Sequence, residues 1–352
     1  MDAVGDLLML EELQSFERRS RLVVTNRDCD LDVLDDIDFR RRYRLNKTTV
    51  SHIIDILSED LTCSAKNNYL TPAEKVCIAL RFYACGTFQL VLGDLSSVSQ
   101  PSACRAINQV SQCLAKLCPQ YIRLPDTEHE RREVKYDSSL VSQKFFSRFG
   151  FPGVYGAIDC SLIPISSPGG IRAEMFRSRK GFFALNVQTV CDADLYVRNI
   201  VARWPGSTHD MTVFSNSYVR AKLEAEVPPE YHLIGDTGYG CRTYLLTPYL
   251  DPTSEGQRRY NNSHIYARNT VERQYGVWKR RFSCIGSGLR CKVENAMTII
   301  VATAVLHNIA LQMNDFFEED DDTEDENTNP VFQERNVAGF AKRNAIVREY
   351  FT

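Results

Sequence analysis

The 352-residue sequence has no Cys-x-x-Cys pair among its twelve cysteines and only two tryptophans. It reads as having neither a signal-like apolar segment nor an apolar run long enough to span a bilayer. Without paired cysteines a zinc ribbon or a dithiol redox motif has no ligands. The scattered thiols are expected to be free and buried in a reducing compartment, with Cys113 and Cys118 as the alternative zinc pair. Excess positive charge is also missing, since the formal net charge is −3. That figure is lopsided: the stretch Asp315 to Glu326 holds nine acids and no Lys or Arg, and setting those nine charges aside turns −3 into +6. The body is therefore basic, as a binder of phosphate backbone should be. Apolar residues make up 43% and charged residues 25%, enough for one large globular domain and a smaller one.

What the sequence does have is four carboxylates in informative surroundings. Asp159 lies inside the apolar run Val154-Tyr-Gly-Ala-Ile-Asp-Cys-Ser-Leu-Ile-Pro-Ile165. A buried acid in a strand costs several kcal/mol unless a cation or partner holds it. Asp210 closes Trp204-Pro-Gly-Ser-Thr-His-Asp210. Asp236 ends the strand-like Tyr231-His-Leu-Ile-Gly-Asp, and Glu272 borders the buried stripe Val271, Tyr275, Trp278 and Phe282 of a helix over 269–282. Two aspartates from strands and a glutamate from a helix can converge on a pair of divalent ions about 4 Å apart that clamp a phosphodiester, and Mg²⁺ needs only a few carboxylates. Asp236 as a turn former and Asp210 as a helix-start residue capped by Ser207 or Thr208 remain the plainer alternatives.

Strand order is a consistency check. After the first strand, a second is predicted near 185–190, a turn at Asp192-Ala-Asp194, and a third over 195–203, paired as an antiparallel meander. One crossover helix over 211–226 then returns the chain to a parallel fourth strand ending at Asp236, and 243–248 is expected as a fifth. Ligands of open α/β sheets sit beyond the carboxyl ends of strands, where three of the four acids fall.

Gly-Ala-Ile-Asp159-Cys, Trp-Pro-Gly-Ser-Thr-His-Asp210, Gly-Asp236-Thr-Gly-Tyr and Val-Glu272-Arg together resemble the blocks of PIF/Harbinger-type DDE transposases, over about residues 40–312. The order of the blocks is also similar to that of the nuclease derived from them in animals. The resemblance implies an α/β fold, a ribonuclease H-like mixed sheet with flanking helices, preceded by an all-α, helix-turn-helix-like module. It implies Asp159, Asp236 and Glu272 as catalytic acids, Asp210 as a fourth metal ligand, and Mg²⁺ or Mn²⁺ as cofactor. DNA cleavage by a two-metal mechanism would follow, with a catalytically silent DNA-binding or assembly protein as the alternative. A Myb-like DNA-binding protein is the implied partner for targeting and nuclear entry, with the chain in nucleus and cytoplasm; a homo-oligomer is a further possibility.

The expected organisation is a variable segment (1–38), a helical DNA-binding module (39–125), the nuclease domain (150–312), an acidic disordered linker (313–330) and an amphipathic C-terminal segment (331–352). In the module, Asn46 to Leu57 carries apolar residues on one face, and Thr71-Pro-Ala-Glu74 is a capping box. Gly86 stops that helix, a short one spans 87–92, and Gln100-Pro101 opens a third. Its Arg105, Asn108, Gln109 and Gln112 would face a groove. Arg40-Arg-Arg-Tyr-Arg44 is a second basic candidate. Nearer the acids, Arg172, Arg177, Arg179, Lys180, Arg273, Lys279, Arg280 and Arg281 suit an approaching duplex, with ordinary solubility as the alternative. Trp204, Trp278 and His209 are read as structural, as is His307-Asn308 within a closing helix over 293–312.

Overall fold

The computed structural model describes residues 27, 29–62, 70–124, 141–317 and 336–352. The variable segment up to 26 and the acidic stretch over 318–330 lie outside the described residues. Seven helices come first: α1 Asp30–Val33, α2 Asp36–Tyr43, α3 Lys47–Leu61, α4 Pro72–Cys85, α5 Gln89–Leu95, α6 Gln100–Lys116 and α7 Cys118–Tyr121. The capping box forms in both directions, Glu74 N donating to Thr71 Oγ1 and Thr71 N to the Glu74 carboxylate. Gly86 ends α4 at φ 62°, and a Cβ there would lie 2.6 Å from Ser287 Oγ and 3.0 Å from Cys284 Cα, so only glycine allows the later chain to pass this close. The short helix runs past Gly93 to Leu95 instead of stopping at 92. Ser97, at φ 53°, makes the turn.

The remaining elements are α8 Val141–Phe149, β1 Val154–Pro164, β2 Ala184–Cys191, β3 Val197–Pro205, α9 Asp210–Ser215, α10 Tyr218–Ala225, β4 His232–Ile234, β5 Leu245–Leu246, α11 Glu255–Arg281, α12 Ser283–Ser287, α13 Val293–Gln312 and α14 Val337–Tyr350. The sheet order is β3-β2-β1-β4-β5. β1 pairs antiparallel with β2 and parallel with β4, aligning Asp159 with Thr189 and Ala157 with Ile234.

Four predicted boundaries move. β3 starts at Val197 because Leu195 enters the turn at φ 68° while Asp192 Oδ1 accepts from the N–H groups of Asp194 and Tyr196. The single crossover helix is two, since Ser217 caps α10 by accepting from Arg220 N. β5 shrinks to two residues because Arg242 and Leu245 exchange backbone hydrogen bonds across a tight turn. α11 is far longer than 269–282, its own capping box at Ser254 and Gln257 starting it at Glu255.

The main apolar cluster joins the N-terminal helices to the sheet, with a second one around α9, α10 and β4. The α6 stripe Ala103, Ile107, Val110 and Leu114 joins Val187, Val271, Trp278, Ile300 and Leu306, so helices and sheet share a core. Contrary to the sequence expectation, α13 is long and apolar enough to cross a membrane by length and composition. It is a central core helix, with 67% of its most apolar window buried. Its Asn308 accepts from Val197 N and donates to Val197 O and Tyr121 O, and His307 Nε2 lies 2.9 Å from Leu195 O.

The acidic linker does not begin at 313. Asp315 is fully buried, accepts from Asn46 N (2.6 Å) and Thr49 Oγ1 (2.9 Å), and pairs with Arg281 (3.6 Å) and Arg40 (3.5 Å). Arg44 and Arg281 both stack on Phe317. Three arginines of the basic run at 40–44 are therefore engaged by the protein itself, Arg42 by Asp38, while Arg41 is exposed. At the C-terminus, Phe351 packs on Phe151 and Tyr260, Lys342 donates to the carbonyls of Pro229, Tyr231 and Thr243, and Asn344 accepts from the Tyr249 hydroxyl.

Burial holds His264 down at about 3 and His307 at about 4, far below the ordinary 6.5, so both are neutral in the fold. A group with a depressed folded pKa and a normal unfolded one leaves the unfolded chain holding more protons between the two values. The contribution of these two histidines should thus be intact above pH 6.5 and fall as pH drops toward 4, with about 2–3 kcal/mol of the loss due to His307. Denaturant unfolding at stepped pH, compared with His307→Gln, measures this; an unchanged slope in the variant would assign the acid sensitivity to other groups.

Candidate active site

The longest strand places the first acid. β1 runs beyond its pairing with β4, so Asp159, in mid-strand, lies where that neighbour has ended, and its side chain is 18% exposed. Its Oδ1 accepts from Cys160 N at 2.7 Å. Asp236, two residues past β4, is buried, and its Oδ1 accepts from Gly238 N at 3.0 Å. Asp210 begins α9, with His209 at the cap position but no side-chain capping bond, so neither Ser207 nor Thr208 caps it. Its Oδ1 accepts instead from the Asn186 amide at 2.8 Å.

Glu272 comes in on α11, whose seating is set by a ladder of polar contacts along β1 and β2. The Tyr275 hydroxyl is 2.8 Å from Val187 O and 3.0 Å from Asp159 O, Lys279 Nζ donates to Ser161 Oγ at 2.6 Å, and Thr189 Oγ1 donates to Gln274 at 3.0 Å. Arg268, Glu272, Tyr275 and Lys279 share one helical face at spacings of four, three and four. Arg268 joins the acids directly: Nη2 lies 2.6 Å from Glu272 Oε1 and Nη1 3.4 Å from Asp159 Oδ2.

The electrostatics carry the same message. Burial, then the neighbouring Asp236, push Asp159 up to about 8, with Arg268 opposing. Burial and Asp210 likewise raise Asp236, again against Arg268. Asp159, Asp236 and Asp210 thus crowd one region, with Glu272 joined through the arginine. Among the described residues, no three acidic, histidine or cysteine side chains approach closely enough to hold a metal ion as they stand. The donor chemistry nonetheless fits a hard divalent cation, because several carboxylates face a single guanidinium in a poorly solvated place.

Beside Asp210 lies a polar cavity of about 320 Å³. Cys160, Asn186, His209 and Asp210 line it together with Arg179, Lys180 and Lys279, whereas Asp159, Asp236 and Glu272 do not. Of the other basic residues, Arg177 is tied to Glu174 and stacked on Phe183, Arg273 is exposed and Arg280 half-buried. On α6, Arg105 and Gln109 are exposed, while Asn108 is half-buried against Cys104. Trp278 is fully buried and Trp204 half-buried under Arg203.

Gly206 explains the spelling of the Asp210 segment. A Cβ there would meet Ala184 O and Phe176 O, each at 2.8 Å, both backbone atoms that cannot swing aside. Gly206→Ala should cost about 1–3 kcal/mol by overpacking and shift the loop that carries Asp210. A thermal melt reads the first effect and the Asp210 carboxyl resonance the second; an unperturbed melt would mean the loop yields freely.

The sequence that builds this site is similar to known proteins. Residues 158–308 match the DDE superfamily endonuclease family, and the matched stretch contains all four acids. Over 294 residues, 82% of this chain and 82% of its relative, the sequence is 29% identical to the human protein named "Putative nuclease HARBI1". It is 28% identical to the Xenopus laevis protein of that name over 82% of this chain and 86% of the relative. It is also similar, at 24% identity over 79% of this chain and 71% of the relative, to "Protein ALP1-like" of Arabidopsis thaliana. No solved structure gives a significant match. The family resemblance read from the four blocks therefore stands. The residues missed in the sequence are Arg268 and Asn186; only the four-residue spacing of Arg268 from Glu272 could have signalled the first.

Proposed function

We propose that this chain is a divalent-metal-dependent DNA endonuclease with a ribonuclease H-like core. The observation that carries the reading is the crowding of Asp236 and Asp210 on Asp159, with Glu272 bridged to Asp159 through Arg268, inside a DDE endonuclease domain. Asp159, Asp236 and Glu272, with Asp210 as a fourth ligand, would hold Mg²⁺ or Mn²⁺. When bound, such ions supply a hydroxide nucleophile and stabilise the leaving oxygen of a phosphodiester.

The chain's own residues do the rest. Cys160 N, Gly238 N and the Asn186 amide orient the three aspartates. Tyr275 and Lys279 fix the helix of Glu272 against β1. Arg179, Lys180, Lys279 and Arg280 would carry the phosphate backbone past the acids, and Arg105, Asn108 and Gln109 of α6 would contact DNA further along. A Myb-like DNA-binding protein as partner, action in the nucleus with passage through the cytoplasm, and self-association belong to the same proposal. The test is incubation of the purified chain with supercoiled plasmid and Mg²⁺ or Mn²⁺. Nicking or linearisation that EDTA stops is the expected result.

One observation favours a second reading, a DNA-binding or assembly protein without cleavage: among the described residues, no three acids stand within reach of one ion. Duplex binding with no cleavage under any divalent ion would decide for it.

A further inference from the structure

The geometry points to Arg268 as a built-in counter-cation that occupies the divalent ion's place among the acids and must leave before that ion can enter. This rests on the metal-site reading above and goes further, since it makes metal loading depend on what else can hold the guanidinium. Three facts carry it. Asp159 has one oxygen committed to Cys160 N, and Arg268 takes the other. Arg268 reaches Glu272 at 2.6 Å as well, so the fork spans two acids that lie on separate elements. The Arg268 side chain is 19% exposed, about the same as Asp159 at 18%, so it sits within the site and not over its rim.

The guanidinium stands between Asp159 and Glu272, where its bulk and charge oppose a second cation, so arginine and metal compete. Whatever draws Arg268 away raises metal affinity, and by reciprocity bound metal frees the arginine. A nucleic-acid phosphate is the ligand whose chemistry does this, since its paired oxygens match the guanidinium fork as a carboxylate does. Arg179, Lys180 and Lys279 line the adjacent cavity where such a phosphate would be attracted. DNA would thus move Arg268 from carboxylate to phosphate and open the site to metal only when substrate is present. Free protein would carry the arginine and no ion.

Mn²⁺ binding by the full chain, followed by electron paramagnetic resonance with and without a short non-hydrolysable phosphorothioate duplex, tests this. Wild-type protein should bind Mn²⁺ weakly alone and between about 5- and 150-fold more tightly with duplex, the usual span of such coupling. Arg268→Gln should bind Mn²⁺ more tightly than wild type without DNA and gain little from it. Should the glutamine variant fail to fold, Arg268→Lys serves, because an ammonium cannot bridge both carboxylates as a fork and should also admit Mn²⁺ more readily. Equal Mn²⁺ affinity in wild type and the folded Arg268 variant, with Asp159→Asn abolishing it in both, would overturn the competition and leave the metal site standing. Mn²⁺ binding indifferent to Asp159→Asn would instead overturn the metal site and this inference with it.

Discussion

Asp159→Asn and Glu272→Gln should each lower Mg²⁺-dependent nicking of supercoiled plasmid by about 10³-fold or more, the scale of losing one preorganised electrostatic element, while duplex affinity holds or rises. The two effects separate because neither substitution adds repulsion toward phosphate, and Glu272→Gln removes a negative charge facing it. Asp159 should show the larger loss. Its carboxylate already carries the burden of burial and of Asp236 beside it, whereas Glu272 is 29% exposed on the helix surface. Retention of full nicking by both variants, measured alongside binding by fluorescence anisotropy, would make the acids structural.

The second large effect concerns stability. Asp315→Ala should cost about 3–5 kcal/mol, because it leaves the buried Arg281 guanidinium without its counter-charge. It also removes the acceptor of Asn46 N and Thr49 Oγ1. Asp315→Asn should cost less, since an amide oxygen keeps one of these bonds. Urea midpoints for the three proteins check the order. If the alanine protein matches wild type, the buried pair contributes nothing net. A deletion meant to test whether acidic residues compete with DNA should therefore begin at Glu318; one that includes Asp315 would confound charge with unfolding.

Much of this was legible from residues because the physics leaves few choices. A carboxylate between Ala157-Ile158 and Cys160-Ser161 cannot be an ordinary surface acid, and the full burial of Ala157 and Ile158 bears that out. The strand sequence up to Asp236 admitted one economical pairing, and the observed order follows it. Other features were hidden for equally physical reasons. Asp315 opens a run of acids, and its role depends on Arg281, Asn46 and Thr49, which only folding brings together. Arg268 has the identity of any solvated helix arginine, and its place is set by how α11 seats on β1. The first half of α11 was obscured by Arg258, Arg259, Asn261 and Asn262, which dilute the apolar stripe that Tyr260, His264 and Ala267 continue.

Asp315 also bears on how the molecule comes into being. Its carboxylate completes the start of α3 from 269 residues further along the chain, and the apolar face of α6 rests on α13, which is likewise late. At ordinary rates of synthesis the helical segment therefore emerges on the order of tens of seconds before the residues that finish it. Over that interval Ile107, Val110 and Leu114 have no final partner from α13. A growing chain of this kind calls for chaperone cover on its leading third, and a fragment cut after Leu124 should aggregate where the full protein does not.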